Sequence, residues 1–275
     1  MRSKALIILL LSGFFALAQR GGTSNEIGFF AAGTNFIGDV GHYGIHIPQG
    51  VAGGVFYRHQ FNDRYAIRGQ FAFGRIANDD ALSTLENRQF RNLHFRSNIY
   101  EGSVIGEVNF FQYRPGSSKY WHTPYLFAGA GITAFNPQAQ YQDEWYDLAP
   151  LGTEGQRTSI NPGNYYPTAT WTLPFGMGYK WNLGRTWCFG VELGFRRTYS
   201  DYIDDVSGVY ADPDIIRAAH GDVAAALSNR TDRPNELIGY ARGNNQNDDW
   251  YVFTGISISA NLPPFIEKCT NFINR

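Results

Sequence analysis

Large apolar side chains occupy every second position of residues 170–181, which read TWTLPFGMGYKW. The apolar positions run from Trp171 to Trp181, and the positions between them hold threonine, proline, glycine and lysine. A period of two is typical of a β-strand with two unlike faces. The segment therefore predicts a strand with one aromatic, apolar face and one small, polar face. Pro174 within it predicts a β-bulge, since proline removes a ladder donor.

The same alternation recurs along the chain and predicts further strands, each about ten residues or longer. A strand that crosses a membrane needs roughly 9–11 residues, whereas strands of soluble sandwiches are usually nearer five or six. The length of the strands and their even number favour a transmembrane β-barrel over a secreted β-sandwich. The eight predicted strands are 26–37, 50–61, 64–75, 98–113, 124–135, 170–181, 186–199 and 250–262.

The connections between these strands alternate in length. The long ones are 38–49, 76–97, 136–165 and 201–249, and the short ones are 61–64, 114–123 and 182–185. Outer-membrane barrels have long extracellular loops and short periplasmic turns. The sequence therefore predicts an all-β protein of the bacterial outer membrane. Its fold is an eight-stranded antiparallel transmembrane β-barrel with short periplasmic turns and long extracellular loops. The apolar faces would contact lipid, and the inward glycines would fit a narrow lumen.

The terminal segments and the overall charge add two expectations. Residues 1–18 have the pattern of a signal peptide, with Arg2 and Lys4 before an apolar run and a small-residue cleavage site at 16–18. The barrel would then occupy residues 19–262, and residues 263–275 would form a periplasmic tail. The formal net charge of −1 gives no overall attraction for nucleic acid.

Strand parity places eight charged side chains in the lumen, four of them basic and four acidic. Isolated charges are costly in a narrow barrel, so we expect an ion-pair network. Two roles stay open at this point. One is a structural plug, which the small lumen of an eight-stranded barrel favours, and the other is a path for protons or ions. The predicted lumen residues are Glu26, Arg58, Arg68, Glu101, Glu107, Lys180, Glu192 and Arg196.

No catalytic, cofactor or metal motif stands out in the sequence. The six histidines lie mostly in predicted loops and turns, and neither a G-x-S-x-G string nor a phosphate loop is present. The sequence therefore predicts no enzyme, no cofactor and no metal ion. A lipid-modifying hydrolase stays open as an alternative, because long loops supply scattered histidine and serine residues.

The loop after the seventh predicted strand is rich in acidic residues. Residues 201–214 offer oxygen ligands that Ca²⁺ prefers, but their spacing is not that of an EF-hand. A bracing role in the loop is favoured, and Ca²⁺ binding stays open. Residues 213–229 predict a short amphipathic helix that caps the barrel mouth or docks a partner. Its predicted apolar face comprises Ile215, Ile216, Ala219, Val223 and Ala226.

Two cysteines are expected at the periplasmic rim. Cys188 follows the short turn 182–185, and Cys269 lies in the tail that leaves the eighth strand on the same side. The periplasm permits disulfides, and we favour an internal Cys188–Cys269 bond that pins the tail. The other interpretation is a free Cys269 that bonds a periplasmic partner.

Five strings carry a resemblance to a known family. They are RNLHFRSNIYEGS (91–103), PYLFAGAGITAFNP (124–137), LGTEGQ (151–156), FRRTYSDYIDDVSG (195–208) and DDWYVFTGISIS (248–259). Together they resemble the PorG family of outer-membrane β-barrels in the type IX (Por) secretion system, and the resemblance extends from about residue 24 to 262. It implies a non-enzymatic component of a secretion machine that is not itself the protein-conducting pore, with a periplasmic ring lipoprotein and that lipoprotein's partner subunit as partners. The alternative is a small outer-membrane transport barrel for ions or apolar solutes.

Overall fold

The computed structural model describes residues 23–42, 44 and 47–262, and these form a closed β-barrel covered by loops at one end. The predicted signal peptide, the predicted tail and Cys269 lie outside the described residues. The strands are β1 (Ser24–Ile37), β2 (Gly50–Gln60), β3 (Tyr65–Asp79), β4 (His94–Asn109), β5 (His122–Tyr141), β6 (Glu144–Asp147), β7 (Ala169–Leu183), β8 (Trp187–Thr198) and β9 (Trp250–Leu262).

Three short α-helices lie in the described loops. They are α1 (Glu86–Arg91), α2 (Pro213–His220) and α3 (Asp222–Ser228). Within residues 23–262, as far as they are described, no helix combines the length and apolar character that a membrane crossing requires.

Eight strands form the barrel wall, each antiparallel to its neighbours. The pairing runs from β1 through β5, continues from β5 to β7, β8 and β9, and closes where β9 pairs with β1. Strand β6 pairs with the extracellular end of β5, and the hairpin that the two strands form extends beyond the barrel wall. The predicted eight-stranded antiparallel barrel is confirmed. A closed sheet pairs its backbone groups internally, which the membrane interior requires.

The wall strands extend further at the loop-bearing end than the sequence predicted. Strand β3 continues to Asp79 and β4 starts at His94, and these two residues pair. Strand β5 likewise reaches Tyr141 instead of stopping at residue 135. The ladder continues above the lipid, where the outward side chains are polar, so the apolar pattern ends before the strand does.

Pro174 interrupts the pairing of β5 with β7 without changing its register. Ala128 pairs with Phe175 and Gly131 pairs with Thr172, whereas no pair forms at residues 173 and 174. The registers on the two sides of the gap agree, so no extra residue is inserted. The bulge predicted at Pro174 is therefore wrong, because the missing donor removes ladder bonds but leaves the residue count unchanged.

The outer wall of the barrel is apolar and exposed. Phe29, Val104 and Trp171 expose 63%, 58% and 64% of their surface. Soluble monomers rarely expose contiguous apolar patches of more than a few hundred Å², so a wall of this kind belongs in lipid. Aromatic side chains such as Trp121 and Tyr179 lie near its periplasmic edge, as in the girdles of outer-membrane barrels. The protein is a barrel of the bacterial outer membrane.

The predicted helix at 213–229 is two helices that meet at Gly221. Gly221 has φ 89° and ψ 177°, which breaks the helical backbone between α2 and α3. Ile216 and Ala224 are buried, but Ala219 is exposed. The single apolar face predicted for this segment is therefore wrong, because the break turns α3 relative to α2.

Candidate functional site

The periplasmic half of the lumen contains an ion-pair cluster, which we call the lower network. Its members come from β1, β2, β3, β4, β7 and β8, and every one of them points inward. Three acidic and three basic groups balance in charge. The lower network consists of Glu26, Arg58, Arg68, Glu107, Lys180 and Glu192.

Glu107 is the centre of the lower network. Its Oε1 accepts a hydrogen bond from Arg58 Nε at 3.0 Å, and its Oε2 accepts one from Lys180 Nζ at 2.7 Å. Arg68 Nε lies 3.3 Å from the same Oε1. The side chain of Glu107 is fully buried, so three cations surround one carboxylate away from water. Charges in such a place are tolerated only when they are paired and hydrogen-bonded.

Two further carboxylates complete the lower network. Glu26 Oε2 accepts from Arg58 Nη1 at 2.9 Å and from Ser259 Oγ at 2.7 Å. Glu192 accepts a bidentate pair of hydrogen bonds from Arg68 and another from the Tyr125 hydroxyl. Each carboxylate thus joins one arginine to a polar group on another strand, which ties the wall together across the lumen.

A second ion pair lies higher in the lumen and is separate from the lower network. Arg196 Nε lies 3.3 Å from Glu101 Oε2, which also accepts from the Tyr251 hydroxyl at 2.8 Å. The sequence pattern predicts one network, but the structure contains two separate groups. The ring of Phe127 adjoins Gly194, the inward position between Glu192 and Arg196, and separates the two groups. A cavity of about 20 Å³ near Glu192 and Arg196 has room for one water.

Aromatic side chains fill the lumen that the ion pairs leave. Tyr113, Tyr125 and Tyr251 are among the largest fully buried side chains. Tyr125 fits because Gly178 faces it, since a Cβ at residue 178 would lie 2.5 Å from Tyr125 Cζ. Arg68 lies 5.3 Å from the centroid of the Phe127 ring, close enough for a cation–π contact.

The periplasmic mouth is closed by the turn between β4 and β5. Tyr113 of this turn is fully buried, and its hydroxyl donates to Asn182 Oδ1 at 2.8 Å. Asn182 Nδ2 in turn donates to the backbone oxygens of Arg114 and Ser117 at 2.9 and 3.0 Å. The turn therefore folds under the barrel as a plug, which the sequence pattern did not predict.

The extracellular mouth is closed by the four long loops, which we call the cap. Arg242 is its central side chain and is 3% exposed. It donates to Glu154 Oε1 at 3.1 Å and to the backbone oxygen of Asp205 at 2.5 Å. Arg91 of α1 pairs with Asp80 at 2.8 Å and donates to the backbone oxygens of Arg242 and Asp39 at 2.6 Å. The two arginines join all four loops into one cover.

Four aspartates meet inside the cap without an ion-pair partner among the described residues. They are Asp39, Asp201, Asp204 and Asp249, and burial raises the pKa of each. Burial raises the pKa of Asp201 to about 7. Repulsion from Asp39 adds to the effect of burial on the pKa of Asp204, and repulsion from Asp204 adds to it on the pKa of Asp249.

Two of these aspartates hold the loops together by accepting hydrogen bonds from backbone amides. Asp204 accepts from the backbone amides of Val40 and Val206 at 3.0 Å, and Asp249 accepts from that of Ile203 at 2.9 Å. In the part of the chain that the structure describes, no group of three or more histidine, cysteine, aspartate or glutamate side chains is arranged to hold a metal ion. The acidic segment 201–214 therefore has a structural explanation in backbone hydrogen bonds.

The structure places all eight predicted lumen residues inside the barrel. Six of them form the lower network, and Glu101 and Arg196 form the separate upper pair. Cys188 lies inward, is 2% exposed, and its Sγ donates to Asn182 Oδ1 at 3.4 Å. Cys269 lies outside the described residues, so its pairing with Cys188 stays a prediction. Sequence reasoning missed Arg91, Glu154 and Arg242, because irregular loops carry no periodic signal.

Comparisons with known proteins give one family match and several structural matches. The family described as Domain of unknown function (DUF6089) matches residues 2–219. Ail, the attachment invasion locus protein of Yersinia pestis, is 11% identical, with a TM-score of 0.41 and coverage of 88% of this chain and 100% of that chain. Neisserial surface protein A is 8% identical, with a TM-score of 0.41 and coverage of 88% and 99%.

A third solved structure, that of the outer membrane protein OprG from Pseudomonas aeruginosa, is 11% identical. Its TM-score is 0.35, and the match covers 87% of this chain and 96% of that chain. No curated protein matches the chain in sequence.

Proposed function

The chain belongs to the DUF6089 family, and we propose that it is a non-enzymatic outer-membrane barrel of the type IX protein secretion machinery. In this proposal it anchors or assembles the periplasmic ring complex and does not conduct the secreted protein. The resemblance of five strings to the PorG family supports the secretion system. The packed lumen supports the anchoring role.

The filled lumen is the observation that carries the proposal. From the periplasm upward, the barrel is occupied by the Tyr113 plug, by the lower network around Glu107 and by the Arg196–Glu101 pair. The cap closes the far end through Arg242. An eight-stranded barrel has room in its interior for little more than side chains. A protein that passes nothing through its centre acts through its surfaces, which here are the periplasmic turns, the wall and the cap.

Two of the periplasmic turns are bonded to each other, which supports an anchoring surface on this side. Asp63 in the β2–β3 turn pairs with Arg114 in the β4–β5 turn at 3.1 Å, and its backbone oxygen accepts from the amide of Tyr113 at 3.0 Å. The two turns therefore form one unit. Trp121 beside them is 48% exposed and lies at the edge of the apolar wall.

Deletion of the gene tests the proposal in a bacterium that carries the type IX system. The account predicts loss of secreted cargo from the medium and loss of the ring subunits from the outer-membrane fraction. Lys119 and Trp121 are both exposed in the β4–β5 turn on the periplasmic side. Complementation with the double variant Lys119→Glu/Trp121→Ala should restore the barrel but not the ring, whereas Asn244→Ala in the cap should restore both. Normal secretion and normal ring recovery after deletion would refute the proposal.

A further inference from the structure

The apolar wall ends abruptly on the side formed by β3, β4 and β5. Phe73 and Tyr100 contact each other across β3 and β4, with ring centroids 5.0 Å apart. The next outward position on β3 towards the cap is Arg75, which pairs in register with Asn98 of β4. A strand rises about 3.4 Å per residue, so Arg75 lies roughly 7 Å beyond Phe73. Arg96, two residues beyond Asn98 on β4, lies about 7 Å higher still. Both arginines thus occupy the level where acyl chains give way to headgroups.

Each guanidinium is held from one side by a neighbouring strand. Arg75 Nε donates to Asn98 Oδ1 at 3.1 Å, and Arg96 Nε donates to Gln138 Oε1 at 3.0 Å. Trp145 of β6 stacks on Arg96, with 3.5 Å from Cζ to the ring centroid. Among the described residues, the terminal nitrogens of both arginines have no acceptor. The planes of the two guanidinium groups are therefore fixed, and their terminal nitrogens remain available as donors to another molecule.

The charge of these two arginines is not neutralised within the described part of the chain. Neither forms an ion pair there, and Arg75 repels Arg96. The carboxylate of Asp147 on β6 does not pair with either arginine. It accepts hydrogen bonds from the side-chain amides of Gln138 at 2.7 Å and Asn136 at 2.8 Å. On β8, by contrast, the outward arginine at a similar height, Arg197, pairs with Asp248 at 3.4 Å.

We propose that Arg75 and Arg96 form a binding site for a phosphate group of a lipid in the outer leaflet. A guanidinium presents parallel N–H donors that match phosphate oxygens, and two of them can hold one phosphate from adjacent strands. The apolar surface directly below, at Phe73 and Tyr100, would contact the acyl chains of the same molecule. This continuity of a basic patch with an apolar wall favours a lipid over soluble phosphate.

Native mass spectrometry of the full mature chain in detergent micelles tests the site. The probes are diphosphorylated lipid A, enzymatically dephosphorylated lipid A and inorganic phosphate. We expect the wild-type protein to retain diphosphorylated lipid A in preference to the dephosphorylated form. Each basic residue near an anionic surface contributes about fivefold to association, so R75Q/R96Q should bind about thirtyfold more weakly. The matched control R197Q should bind as the wild type does.

Several results would overturn the proposal. They are equal retention of the two lipid A forms, unchanged binding by R75Q/R96Q, or binding of inorganic phosphate in place of lipid. The variant R75K/R96K keeps both charges but loses the planar donors, so it should bind with intermediate strength. All three substituted side chains are outward and exposed or half-exposed, so the temperature at which the folded form is lost in SDS should be the same for every variant.

Discussion

Replacement of Glu107 by glutamine removes the charge at the centre of the lower network while keeping the size of the side chain. Glu107 holds Arg58 at 3.0 Å, Lys180 at 2.7 Å and Arg68 at 3.3 Å, and all four side chains are at least 97% buried. The variant leaves three cations facing two carboxylates, Glu26 and Glu192. One positive charge is then uncompensated in the lumen.

The size of the effect follows from the burial of this cluster. Breaking a buried ion pair by removing one partner typically costs about 3–5 kcal/mol of stability. The glutamine amide oxygen still accepts one hydrogen bond, so we expect a value near the lower end for Glu107→Gln. Denaturant unfolding of the barrel in lipid vesicles measures it. The temperature at which the band of the folded barrel disappears from an SDS gel should fall in parallel.

A second substitution separates charge balance from simple loss of contacts. Lys180→Met in the Glu107→Gln background restores neutrality, so the double variant should be more stable than the sum of the single effects predicts. The control is Asp214→Asn, which breaks an exposed pair with Arg217 and should change stability far less. The reasoning would be refuted if Glu107→Gln and Asp214→Asn had equal effects, or if the double variant showed no coupling.

Three further predictions concern the upper pair, the packing and the cap. Arg196→Ala strands the buried Glu101 and should lower the unfolding temperature more than the exposed Asn244→Ala; equal shifts would contradict a role for the pair. Gly178→Ala places a Cβ 2.5 Å from Tyr125 and should destabilise the barrel by roughly 1–3 kcal/mol, whereas Gly69→Ala, with no neighbour within 4 Å, should be neutral in the same unfolding assay. Burial raises the pKa of Asp201 to about 7, so the folded cap binds more protons than the unfolded cap between about pH 4 and 7, and its stability should fall as the pH rises through that range. Hydrogen exchange of residues 201–208, corrected for intrinsic rates, should therefore be faster at pH 8 than at pH 5, and a pH-independent opening would argue against this.

Strand alternation was sufficient to predict the barrel because lipid and lumen impose opposite demands on successive residues. Phe175 contacts the membrane side and Lys180 the lumen, and a change of one position would reverse both. The same parity placed Arg58, Glu107 and Glu192 in one interior before their contacts were known. It could not show that Phe127 divides the charged groups, because that depends on which side chains meet across the barrel.

The loops could not be predicted to the same depth. The sequence pattern predicts one helix across Gly221, because a single glycine is tolerated in a helical pattern, yet its φ of 89° ends α2. Tyr113 lies in a turn without periodicity, so nothing in the pattern indicated that it enters the barrel. Pairs such as Arg242 with Glu154 join residues far apart in the chain, and only the closed barrel brings their loops together.

Conductance across a planar lipid bilayer tests the central claim that this barrel is sealed. The lumen is occupied by the Tyr113 plug, the lower network and the Arg196–Glu101 pair, and the cap covers the outer mouth. Purified protein inserted at known density should therefore give no channel steps above the lipid background, even when Trp121→Ala or Asn244→Ala alters a surface. Stable unitary conductance from the wild-type barrel, changed by Lys180→Met, would contradict the account and assign the lumen charges to an ion path.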